Sequence, residues 1–171
     1  EERNDVLNRV KVAAAMIDPV RIKALSGTRE DLKSDDFKCI QKQFQDILQG
    51  QTDMLFVYLF GQKDGKTIFL VDVEPFRNKV SFLPMAVPGE VYEENAELFG
   101  RMFSRGGAVI VGPEKDKWGT FISGLAAVRD PADGKVIAVL GIDCDAKDWA
   151  LMINSHRLLP VLLTILVVIL Y

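Results

Sequence analysis

Hydrophobic positions fall into two regimes along this chain. Through residue 50 they recur at helical spacing. Val6, Val10, Ala14 and Ile17 form one stripe over residues 3–17. Asp18-Pro19 restarts a helix, with Asp18 as N-cap and Pro19 at the first helical position, and Gly27 closes that piece. Ser34-Asp35-Asp36 opens the next helix with acidic residues at its positive end. Phe37, Ile40, Phe44, Ile47 and Leu48 form its apolar face, and Gly50 is its stop.

From Met54 onward the apolar residues come in short runs. MLFVYLF (54–60) and TIFLVDV (67–73) read as strands joined at Asp64-Gly65, a hairpin signal. Residues 74–92 form a long connection with three prolines, a length that in a compact domain often carries function. Residues 93–103 read as a short helix ended by Gly106-Gly107. Three more strands follow: 108–111, stopped by Gly112-Pro113; 120–128; and 135–143, after the turn Asp130-Pro131-Ala132-Asp133-Gly134. Helices followed by antiparallel strands predict an α+β domain.

The last residues read LLPVLLTILVVILY (158–171), without charge and apolar on every side. A surface helix would show a polar face, so this run predicts a membrane span that continues past the end of the sequence. His156 and Arg157 then sit at the membrane boundary. The expected organisation is a helical segment over 1–52, a sensor core over 53–145, an exit helix over 146–157 and a truncated transmembrane helix over 158–171.

Composition narrows the chemistry. Hydrophobic residues make up 49% and charged residues 26%, which suits a packed core. A net charge of -3 without a basic stripe argues against nucleic acid. One histidine and two widely separated cysteines, Cys39 and Cys144, offer no metal-type set, and no metal or cofactor is expected. The two thiols read either as separate buried groups or as a disulfide. There is no G-x-S-x-G, P-loop or H-E-x-x-H sequence, so catalysis is not expected of this chain.

The ordered set MLFVYLFGQKDGKTIFLVDVEP, PGEVY, WGTFISGLAAVRDPADGKV and VLGIDCDAKDW, preceded by a helix and followed by the apolar run, resembles the extracytoplasmic Cache domains. These PAS-like sensors occur in bacterial and archaeal histidine kinases, diguanylate cyclases and chemoreceptors. The resemblance covers about residues 5–150. It implies a central five-stranded antiparallel sheet, a long N-terminal helix and a C-terminal exit helix leading into a membrane span. It also implies a periplasmic or extracellular location at the cell inner membrane, a homodimeric receptor, and a small ligand such as a carboxylate, amine or amino acid. A structural or dimerisation module without a small ligand is the competing reading.

A ligand pocket needs an apolar wall with a few converging polar groups. Asp143 is the first candidate: it follows VLGI in an otherwise apolar strand, and the resemblance implies that it faces the ligand. Tyr58 can supply wall and hydroxyl, or serve as a core tyrosine. Asp72 either accepts from a ligand amine or fixes the loop after it. Tyr92 follows Gly89 in the long connection and can close over a ligand. Trp118 and Phe121 suit a lid or wall, and Ser123 shares a strand face with Phe121. Asp145 is expected to cap the exit helix. Arg77, Lys79, Arg101 and Arg105 are the candidate counter-charges for a carboxylate ligand.

Overall fold

The computed structural model describes residues 2–51, 53–74, 85–115 and 120–145. Helices α1 (Glu2–Ala15), α2 (Pro19–Ala24) and α3 (Asp35–Gly50) come first. Strands β1 (Met54–Lys63) and β2 (Lys66–Val73) follow, then α4 (Ala96–Arg105) and strands β3 (Ala108–Lys115), β4 (Thr120–Arg129) and β5 (Val136–Asp145). The strands form one antiparallel sheet in the order β2-β1-β5-β4-β3. The expected α+β class and five-stranded sheet are thus present. The expected exit helix (146–157) and membrane span (158–171) lie outside the described residues. Among the described residues, no helix is long and apolar enough to cross a membrane.

Local chemistry sets the element ends. Asp18 caps α2 by accepting from Val20 N–H at 2.9 Å, and Ser34 caps α3 by accepting from Phe37 N–H at 3.1 Å. Asp64 (φ 50°) and Gly65 (φ 73°) form the two-residue turn between β1 and β2, both in the left-handed region that the right-handed strand twist favours. A 3-10 turn, Arg29–Lys33, unread in the sequence, is organised by the buried Asp31. Its carboxylate accepts from the N–H groups of Ser26, Gly27 and Thr28.

The sheet has two unlike faces. One is covered by α1 to α3, whose Val6, Val10, Ile40 and Phe44 pack against Val57, Leu59, Leu140 and Ile142. Gly124 lets α1 come close: a Cβ there would press on Val6 and Val10. The other face is covered only in part, by α4 and the segment 85–92, through an aromatic cluster of Phe60, Phe69, Tyr92 and Phe99. Such ring pairs add about 0.5–1.5 kcal/mol each beyond their buried area. What this partial cover leaves open is the cavity described below.

Several boundaries differ from the sequence reading, two of them next to the cavity. Helix α4 begins at Ala96 rather than residue 93, because Tyr92 is held by the sheet: its N–H donates to Thr67 C=O at 2.9 Å. Strand β3 does not stop at Gly112-Pro113 but continues to Lys115 through a bulge. The cysteines also differ from both expectations. They are unbonded, and only Cys144 is buried, while Cys39 lies exposed on α3. Burial, reinforced by the Asp53 and Asp143 carboxylates, pushes the Cys144 thiol up to about 12. Iodoacetamide at pH 8 is therefore expected to alkylate Cys39 alone in the folded chain and both cysteines after denaturation, as read by peptide mass. Labelling of native Cys144 at the rate of Cys39 would contradict this packing.

Candidate functional site

The alternation of β4 places Phe121, Ser123 and Leu125 on the partly covered face. Register then selects their neighbours. On β5, Asp143 stands opposite Ser123 and Gly141 opposite Leu125; on β1, Tyr58 stands opposite Gly141. These side chains enclose a cavity of about 410 Å³. Tyr92, Leu98, Phe99 and Val111 complete its apolar wall, and Glu94, Asn95 and Glu114 form its polar rim. Of the candidates read from sequence, Asp143, Tyr58, Tyr92, Phe121 and Ser123 come together here. Trp118 lies outside the described residues.

At the centre, Tyr58 Oη donates to Asp143 Oδ1 at 2.8 Å. Asp143 is only 6% exposed, so its carboxylate depends on such donors. The Tyr58 hydroxyl also meets the Ser123 side chain. Burial, and then the Asp143 charge, push the Tyr58 phenol well above its ordinary range, which keeps it a hydrogen-bond donor at neutral pH. Gly141 makes the arrangement possible: a Cβ at that position would run into the Tyr58 ring, which lies across β5 to reach Asp143. Phe121 backs the cavity, edge-on to Phe56 with ring centres 5.4 Å apart.

Asp72 behaves differently. It pairs in register with Tyr58 on β2 but does not line the cavity. Its Oδ2 accepts from Ala86 N–H at 2.8 Å, which holds the start of the returning segment. That segment runs along the outer edge of β2 as a strap: Gly89 N–H donates to Phe69 C=O and Phe69 N–H to Glu90 C=O, each at 2.9 Å. The strap delivers Tyr92 to the cavity. Asp72 thus ties Ala86, in the connection after β2, back to the sheet.

Several wall residues were missed in the sequence. Glu114 reaches the cavity because the bulge sets it, rather than Pro113, opposite Phe121. Asn95 takes a left-handed conformation (φ 54°) just before α4, and its Nδ2 donates to Glu114 Oε2 at 2.7 Å. Glu94 accepts from Tyr92 Oη at 3.4 Å. Neither of the described candidate counter-charges, Arg101 and Arg105, lines the cavity. Arg101 is exposed on α4 and paired with Glu97, Arg105 does not line the cavity, and Arg77 and Lys79 lie outside the described residues. Asp145 ends β5 opposite Phe121, and the helix it was expected to cap is outside the described residues.

Two measurements check this geometry. Gly141→Ala is expected to displace the Tyr58 ring and cost about 1–3 kcal/mol in urea unfolding; an unchanged midpoint would contradict the close approach. Burial raises the Asp72 carboxyl to about 6 from an ordinary 3.8, with Glu74 and Glu90 adding to the rise. The folded chain then keeps a proton that the unfolded chain loses between pH 4 and 6, so stability falls as pH rises through that window. The expected contribution is about 2 kcal/mol, after allowance for the partial water contact of a half-buried carboxylate. Asp72→Asn should remove that part of the slope in urea melts at pH 4 to 7.

No family model matches the chain, and no curated protein matches it. Solved structures do. The sensory domain of the Campylobacter jejuni chemoreceptor Tlp3 with isoleucine bound is 17% identical over 86% of this chain and 59% of that one, with a TM-score of 0.42. The extracellular domain of mmHK1S-Z2, described as a histidine kinase, is 14% identical over 83% and 57%, at 0.46. An A. aeolicus nlh2 GAF domain in an inactive state is 12% identical over 90% and 92%, at 0.41. The chain thus spans less than two thirds of the chemoreceptor and kinase domains. Receptor sensory domains are thus among the solved structures to which this chain is similar.

Proposed function

We propose that the chain is the extracytoplasmic small-molecule sensor domain of a transmembrane signalling receptor, and that its cavity holds a protonated nitrogen of the ligand on Asp143. One observation carries this reading: a buried carboxylate, oriented by Tyr58, in a cavity with apolar and aromatic walls and a polar rim. A cation placed there is shielded from water, so its attraction to the carboxylate is stronger than at a surface. A polar-lined cavity is also what a purely structural or dimerisation module would have no use for. The same reading takes the receptor as a homodimer in the inner membrane, with Val12 on α1, Val20 on α2 and Met16 in the turn between them, each at least 60% exposed, as exposed apolar side chains of the helical layer. Ligand binding would act on the cytoplasmic output by its differential affinity for two arrangements of the domain.

A thermal-shift screen of alkylamines, amino acids and simple carboxylates tests the site. Amine-bearing compounds are expected to raise the melting temperature, and Asp143→Asn to abolish the shift while the ligand-free domain stays folded, since Asn can still accept from Tyr58. A shift that survives Asp143→Asn would move the site elsewhere, and a response to carboxylates alone would reverse the proposed charge preference.

A further inference from the structure

We infer that the chain carries a second binding site, for a small aliphatic carboxylate, at the end of the sheet away from Asp143. Strands β1 and β5 stay paired as far as Phe60 and Val139. Beyond that point β1 runs on to Lys63 beside β2, while β5 begins at Val136 beside β4. The two strands part, and a cavity of about 460 Å³ opens between Gly61–Lys63 on one side and Val136 and Ile137 on the other. Helix α2, the loop to Gly27 and Phe103 of α4 close it in. Gly61 lies five residues along β1 from Phe56, the partner of Asp143, a separation of roughly 16 Å. The strand ends next to the undescribed segments, Met54, Val73, Lys115, Thr120 and Asp145, all stand at the Asp143 end. Around the second cavity the connections 25–28, 64–65, 106–107 and 130–135 are all described.

The charged side chains lining this cavity are Lys23 and Lys63. Lys23 Nζ holds Asp130 at 2.8 Å, but an ammonium has three donors, so it can keep that partner and meet a second anion. Lys63 Nζ reaches a neutral partner, Ser26 C=O, at 3.4 Å. Lys63 also stands opposite Lys66 across the hairpin, a like-charge pair that costs stability. Among the described residues, neither of these two lysines is paired with a carboxylate. An anion beside Lys63 offsets that repulsion.

The backbone adds a donor. On the outer side of β2, Thr67 C=O accepts from Tyr92 N–H, and Phe69 bonds the strap through both its N–H and its C=O. Backbone groups alternate edges along a strand, so Lys66 and Ile68 face β1 and bond there to Lys63 and Gly61. The Gln62 N–H and C=O therefore point away from β2, into the gap that opens where β5 has parted. A carboxylate at this mouth accepts from Gln62 N–H and from the lysine ammonium groups together. Behind it, Ile22, Leu25, Ile68, Leu70 and Ile137 offer a wall that a hydrocarbon chain covers. A bare inorganic anion would leave that wall in water, and an amine would meet like charge.

Isothermal titration of the full chain at pH 7 and low salt with hexanoate, acetate and hexylamine tests the inference. Hexanoate is expected to bind, acetate at least about tenfold weaker for the lost methylene contacts, and hexylamine at least about tenfold weaker for the reversed charge. Lys63→Gln should weaken hexanoate about three- to tenfold, and Asp143→Asn should leave it unchanged, with circular-dichroism melts confirming both folds. In amide NMR spectra hexanoate should shift Gln62 and Ile137 and leave Ser123 and Asp143 in place. Those shifts also tell a carboxylate held here from an amine held at Asp143, so the two readings fail separately. The inference is overturned by no hexanoate binding, by acetate or hexylamine binding as tightly, by undiminished affinity in Lys63→Gln, or by shifts confined to Ser123 and Asp143.

Discussion

The site depends on the Tyr58–Asp143 hydrogen bond passing over Gly141. A carboxylate in the central strand of a sheet is costly unless donors reach it. Here the donor comes from the neighbouring strand, and it arrives only because the residue between them has no side chain. Three residues from two strands must therefore share one face in one register. A slip of one position between β1 and β5 would turn Tyr58 toward the helices and bury its hydroxyl without a partner. Fold and site are thus held by the same pairing.

The two sheet faces divide the work. The face under α1 to α3 is closed by mainly aliphatic packing around Phe37 and Phe44 and anchors β1, β4 and β5. On the other face, α4 and the strap cover the lower part with aromatic rings and leave the upper part as a cavity. The floor is rigid sheet, whereas one wall is a strap held at the sheet edge by a few backbone hydrogen bonds and by Asp72. Stability is unevenly distributed in such an arrangement, with the strap at the weaker end.

Much of this was legible in the sequence because it is local. The caps at Asp18 and Ser34, the Asp64-Gly65 turn and the period-two runs each declare themselves within a few residues. The period also pointed to the candidate cavity: Asp143 was a carboxylate in an apolar strand, and Ser123 shared a face with Phe121. What stayed hidden was not local. Gly112-Pro113 reads as a strand end, yet it is a bulge that moves Glu114 onto the cavity face, and only the partner strand reveals the extra residue. Asn95 and Glu94 look helical by composition, but Tyr92 is already committed to β2, so the helix cannot begin before them. Asp72 was placed on the correct strand; its partner, Ala86, belongs to a loop whose course no periodicity specifies.

The strap also bears on how a bound ligand would be felt beyond the cavity. Tyr92 sits at its cavity end. Three residues earlier Gly89 (φ 90°) lies against the backbone of Gly27, so closely that a Cβ would touch the Gly27 carbonyl oxygen. Gly27 is in turn held by the buried Asp31 carboxylate, which ties the loop between α2 and α3 to a fixed point. A ligand filling the cavity would push on Tyr92, and the sheet floor, paired on both sides, would yield less readily than the strap. Displacement along the strap then meets the helical layer at Gly27 through backbone contact, with no flexible side chain between to absorb it. The two glycines are therefore not spare turn residues: they are where the wall of the cavity and the helical layer are in direct mechanical contact.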